Sequence, residues 1–153
     1  MKTSRHVDVR NAQTRARGEY AEALAKIAEE GVCPFCEEHL STRHGKPILF
    51  GNAHWTVTEN AWPYDGARHQ FLIIFRQHIE SAEKLPAGAW ESLGSAYRQL
   101  VADYRLEGAT LFMRTGMTDF TGASVAHLHA QLVSGGRRGP ASELIRALVG
   151  FKK

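Results

Sequence analysis

HLHAQLV, residues 127–133, decides how this 153-residue chain is read. Polar and apolar residues alternate through it. In an extended strand alternate side chains share a face. His127, His129 and Gln131 therefore project to one side, and Leu128, Ala130 and Leu132 to the other. The stretch just before it, TGASVA at 121–126, is rich in small residues. Such a run lets backbone amides and the Ser124 hydroxyl approach an anion closely. An H-x-H pair alone is more often met on a solvated strand face. The Gly-Ala-Ser lead-in, the flanking apolar residues and a CPFC motif far upstream favour a functional reading.

Working outward, the spacing predicts a strand over 124–133 and, before it, a loop over 115–123 containing Gly116, Asp119 and Gly122. TLFMR at 110–114 reads as a strand. Pro86 marks a helix start, and Trp90, Leu93, Tyr97, Leu100, Val101 and Tyr104 form an apolar stripe over 87–106. FLIIF at 71–75 is a continuous apolar run, expected of a central strand buried on both faces. ILF at 48–50 and HWTVTE at 54–59 form a hairpin about Gly51-Asn52, and 60–68 is a loop. GEYAEALAKIAEE at 18–30 is a helix ended by Gly31, and 39–46 is a loop. Residues 1–17 are basic and aperiodic, expected to be frayed or loosely packed, and SELIRALVGF at 142–151 is expected to form a terminal helix. The class is α+β: an antiparallel sheet with one long helix packed across it.

Composition agrees with a globular protein: 43% hydrophobic, 23% charged, net charge +3. No apolar run approaches the ~20 residues of a membrane helix, and the polar start lacks a secretory core. No membrane association is expected, and the cytoplasm is the expected compartment. Arg5, Arg10, Arg15 and Arg17 near the start, with Arg137 and Arg138 near the end, are sparser than a nucleic-acid surface requires, so nucleic acid is not an expected partner. Cys33 and Cys36 are the two cysteines of the chain. Their C-x2-C spacing suits a metal clip, a redox pair or a buried turn. His39, His44, His54, His69, His78 and the strand histidines are all candidates for further ligands.

GASVAHLHAQLVSGGR, 122–137, resembles the signature of the histidine-triad (HIT) superfamily, in which His-apolar-His-apolar-His/Gln precedes two apolar residues. FLIIFRQHIES, 71–81, resembles the family's earlier strand. The likeness spans about residues 32–136. It implies a HIT-like domain at 32–153 preceded by a basic segment and helix at 1–31. It also implies that His129 attacks the α-phosphate of a nucleotide to form a covalent nucleotidyl-histidine, with Ser124 and Gln131 as donors to the phosphate. Trp62 and Asn60 would contact base and ribose, and His69 would support the triad. Arg114 stands where many members bind phosphate through asparagine; it would do likewise or face solvent.

Gln131 replaces the third histidine of most small HIT hydrolases. The glutamine form resembles galactose-1-phosphate uridylyltransferase and some dinucleoside polyphosphate phosphorylases. A carboxamide donates hydrogen bonds but gives up no proton at neutral pH. The expected substrate is a nucleoside polyphosphate or nucleotide sugar whose leaving group needs no acid, through hydrolysis, transfer or phosphorolysis. The resemblance further implies a structural zinc held by Cys33, Cys36, His78 and His127, and a homodimer. A zinc-containing nucleotide-binding module without chemistry is the alternative. Phe75 and Ala123 depart from common family residues, which bears on substrate identity.

Overall fold

The computed structural model describes residues 4–13 and 18–153. Five antiparallel strands form one sheet in the order β1-β2-β3-β5-β4: β1 (Ile48–Gly51), β2 (Trp55–Glu59), β3 (His69–Phe75), β4 (Thr110–Arg114) and β5 (His129–Ser134). The helices are α1 (Val9–Gln13), α2 (Gly18–Glu30), α3 (Glu37–Arg43), α4 (Ala89–Asp103) and the single turn α5 (Thr118–Thr121).

Strand β3 is central because nearly every residue of its apolar run is buried. Phe71, Ile73 and Phe75 face α4 together with Leu128, Ala130 and Leu132. Leu72 and Ile74 face the other way, against α1, α2 and the Cys33 turn. The two faces therefore carry two cores, and both are needed because β3 is apolar on both sides. Helix α4 lies across the first face as expected. Its buried stripe is Ala89, Leu93, Ala96 and Leu100, and the expected Trp90 is instead 59% exposed. The Trp55 indole N–H donates to the Ala89 carbonyl at 2.8 Å and ties β2 to the start of α4.

Several sequence expectations are corrected. Residues 4–13 are not frayed: Val7, Val9 and Ala12 are buried, and Val7 bridges Val125. Arg15 and Arg17, with the rest of 14–17 and 1–3, lie outside the described residues. The loop expected at 39–46 contains most of α3, whose single buried apolar residue, Leu40, gives too little periodicity to read. The hairpin turn falls on 52–54, with Gly51 still paired to Thr56. The last strand begins at His129, not 124, because the Ala126 and Leu128 amides donate to His6 and Ile79 outside the sheet. No helix forms over 142–151. Arg114 bonds the Leu148 carbonyl and the Gly150 amide donates to Thr121, which holds this segment open. Leu144, Leu148, Val149 and Phe151 stay exposed, so the segment finds no apolar surface against which a helix would pack.

Leu100 is fully buried under the sheet. Leu100→Ala is expected to cost about 2–5 kcal/mol in urea unfolding; a loss below about 1 kcal/mol would mean that α4 does not carry this core.

Candidate active site and metal centre

The last residues before β5 and its first residue turn two histidines into different environments. The His127 Nε2 lies 2.6 Å from the Phe75 carbonyl. A carbonyl only accepts, so Nε2 carries the proton and Nδ1 presents its lone pair. That Nδ1 lies 3.3 Å from Cys33 Sγ, 3.8 Å from Cys36 Sγ and 3.2 Å from His78 Nδ1, and Cys36 Sγ is 3.4 Å from His78 Nδ1. All four ligand atoms lie within 4.8 Å of one another.

A tetrahedron with Zn–S near 2.3 Å and Zn–N near 2.05 Å has edges of about 3.3–3.8 Å. The four side chains fit zinc in number, chemistry and spacing. The histidine tautomer fits too, since ligating histidines commonly donate their other N–H to a carbonyl. Burial pulls His127 down to about 4, so the ring is neutral and ready to ligate at neutral pH. Burial, with the neighbouring Cys33 next, pushes the Cys36 thiol up to about 12 in the metal-free chain. A bound cation offsets that cost by taking the thiolates as ligands. Helix α3 starts directly after Cys36, but among the described residues no strand precedes the motif, unlike the thioredoxin-like arrangement.

His129 sits one residue pair further on, 7% exposed. Its Nδ1 lies 2.8 Å from the His127 carbonyl, so Nδ1 carries the proton and Nε2 presents the lone pair. Phe35 packs edge-on against its ring at 5.0 Å. His129 lines a cavity of about 90 Å³ together with Asn60, Trp62, Arg114, Ser124 and Gln131. The space is of anion size. Arg114 Nε is buried without a hydrogen-bond partner, although its other nitrogen bonds Tyr64 and Leu148.

Gln131 has a fixed orientation. The Tyr64 amide donates to Gln70 Oε1 at 2.6 Å, and Gln70 Nε2 donates to Gln131 Oε1 at 2.6 Å. With its oxygen occupied, Gln131 offers its N–H groups as donors. The expected His69 lies elsewhere: its ring stacks near Phe71 and Tyr104, on the α4 face. Its neighbour Gln70 takes the inward position, because one residue along a strand reverses the face.

Sequence reasoning missed the second wall of the cavity, formed by Tyr20, Leu24 and Ile27 of α2, and the rim residues Arg43 and His44. It also missed His6, whose ring meets His78 at 5.0 Å. Leu24 and Ile27 were legible as one apolar helix face; nothing in the sequence says that the face covers this cavity.

No protein-family model matches the sequence, and no curated protein matches it significantly. Solved structures do. A Hit-like protein is 20% identical over 65% of this chain and 96% of its own, with a TM-score of 0.54. A hypothetical histidine triad nucleotide-binding protein from Sulfolobus tokodaii is 15% identical over 79% and 82%, at 0.54. A Hit-like protein involved in cell-cycle regulation, from Bartonella henselae, is 11% identical over 77% and 86%, at 0.52. At these identities the similarity establishes the fold: this chain has the HIT-like α+β fold. Among the described residues no helix is long and apolar enough to cross a membrane.

Protein prepared without chelator is expected to carry about one equivalent of zinc per chain, and Cys36→Ser less than about half. Elemental analysis reads both; wild-type protein below half an equivalent would remove the metal centre.

Proposed function

We propose that the chain is a member of the HIT superfamily and a nucleotide hydrolase or nucleotidyltransferase that works through a covalent nucleotidyl-histidine on His129. The observation that carries this reading is the bond from His129 Nδ1–H to the His127 carbonyl, at the floor of an anion-sized cavity. That bond fixes the tautomer whose Nε2 carries the nucleophilic lone pair.

Substrate binds with its α-phosphate against Ser124 and the Gln131 amide, with Arg114 as a further cation and Asn60 and Trp62 toward ribose and base. The His129 Nε2 lone pair forms a bond to the α-phosphorus while the bond to the leaving oxygen breaks, and the leaving group departs with its electron pair. Water, giving up a proton to solvent, or a phosphate oxygen then attacks the same phosphorus, and the P–Nε2 bond breaks with its electron pair returning to Nε2. Gln131 cannot protonate a leaving group, so phosphates and sugar phosphates, which are weak bases, suit the site better than amines. Nucleoside polyphosphates and nucleotide sugars are the substrate class that follows.

The zinc held by Cys33, Cys36, His78 and His127 would be structural, since four protein ligands leave no open position for substrate. It would fix His127, and through the His127 carbonyl the ring of His129. The reading keeps 32–153 as the HIT-like domain with 1–31 as its addition, in a cytoplasmic protein. Exposed Trp90 on α4 and Leu111 on the edge strand β4 support a homodimer.

Incubation with dinucleoside polyphosphates and nucleotide sugars, with and without phosphate, is expected to give turnover and an intact-mass increase of one nucleotidyl group. His129→Ala should lose turnover by about 10⁴-fold or more and the adduct entirely, with the fold kept. Equal behaviour of the variant would favour the binding module without chemistry. Faster turnover of a nucleoside phosphoramidate than of any pyrophosphate-linked substrate would contradict the role given to Gln131.

A further inference from the structure

Residues 4–13 precede the HIT-like domain, yet they are fastened to the loop that leads into the histidine strand. The Asp8 amide donates to the Ser124 carbonyl at 2.9 Å, and the Ala126 amide donates to the His6 carbonyl at 2.9 Å. Asn11 is 7% exposed and sends its Nδ2 protons to the Ala123 carbonyl at 2.8 Å and the Thr118 carbonyl at 3.1 Å. Asp8, 5% exposed, accepts from Thr118 Oγ1 at 3.2 Å and from Arg10 at 3.0 and 2.8 Å. Arg10 reaches on to Asp119 at 2.8 Å. The paired Arg10 guanidinium holds the Asp8 carboxyl below the usual carboxylate range, so this brace is ionised at neutral pH.

These bonds have a directional consequence. A trans peptide is planar, with its C=O and N–H on opposite sides. Pulling the Ala123 carbonyl toward Asn11 turns the Ser124 N–H the other way. Holding the Ser124 carbonyl on the Asp8 amide does the same for the Val125 N–H. Among the described residues neither N–H donates to another protein group. Ser124 and Val125 both line the cavity before His129. Two adjacent backbone donors facing one way make an anion-binding concavity.

We infer that Asn11, braced by the Asp8–Arg10 pair, is a positioning residue that aims the Ser124 and Val125 amides at a bound phosphate, so that the N-terminal segment is part of the site. The inference rests on the reading of this loop as the phosphate binder. It goes further in assigning the loop's geometry to residues that precede 32–136, the stretch that resembles the family.

The test uses full-length, zinc-loaded protein and inorganic phosphate as the probe, followed through the Ser124 and Val125 amide signals by NMR. Wild-type protein should show saturable shifts of both amides. Asn11→Asp keeps size but cannot donate to the two carbonyls; its phosphate affinity should fall about tenfold, equivalent to ~1.4 kcal/mol. Arg10→Ala, at a surface position, should fall about threefold. The spectrum of the cobalt-substituted metal corner should stay unchanged in both variants, which a general loss of structure would not allow. Wild-type affinity in a folded Asn11→Asp variant overturns the inference; should that variant not fold, wild-type affinity in Arg10→Ala overturns it. If wild-type protein binds no phosphate, the functional reading of the loop fails first. The positioning claim then stands or falls on whether Asn11→Asp displaces the Ser124 and Val125 amide signals of the ligand-free protein.

Discussion

The His127 carbonyl oxygen accepts the Nδ1 proton of His129 at 2.8 Å, and the rest of the site is arranged around that bond. A histidine nucleophile needs one nitrogen protonated and tied down so that the other keeps its lone pair and its direction. The acceptor here belongs to a residue that is itself immobilised. The His127 ring is 2% exposed, its Nε2–H is held by Phe75, and its Nδ1 faces Cys33, Cys36 and His78. One residue thus joins the Cys33–Cys36–His78 cluster through its side chain and the proposed nucleophile, His129, through its backbone.

Electrostatics divide the two corners. The sulfur corner is buried, keeps His127 neutral and holds both thiols above their usual range until a cation supplies the missing charge. The cavity next to it is the proposed anion site. It is lined by Arg114, Ser124, Val125 and the oriented Gln131 amide. Cation and anion sites a few residues apart on one chain would stabilise each other when both are filled, with the His127–His129 segment as the link.

Much of this was legible in the sequence because burial leaves strong patterns. FLIIF had to be a central strand, and the alternation of HLHAQLV placed His127, His129 and Gln131 on one side, as the structure has them. The four metal-corner residues came from the family resemblance rather than from spacing, since C-x2-C alone left several histidines open. The failures have physical reasons. His69 and Gln70 differ by one residue, and a strand reverses face at every residue, so sequence alone could not say which points inward. Residues 142–151 have a helical pattern but no partner for it, and two tertiary hydrogen bonds decide their path instead. Residues 4–13 read as frayed or loosely packed because their apolar residues are few and most of their hydrogen bonds to the rest of the fold reach positions more than a hundred residues away, which no local period reveals.

The tautomer of His129 is the most direct measure of this account. Long-range ¹H–¹⁵N correlation NMR of zinc-loaded protein at neutral pH should show a neutral ring, with Nδ1 bearing the proton and Nε2 showing the shift of an unprotonated nitrogen. A ring protonated on Nε2 and bare on Nδ1 would mean that the His127 carbonyl does not hold it, and the nucleophile proposed here would have no lone pair facing the cavity.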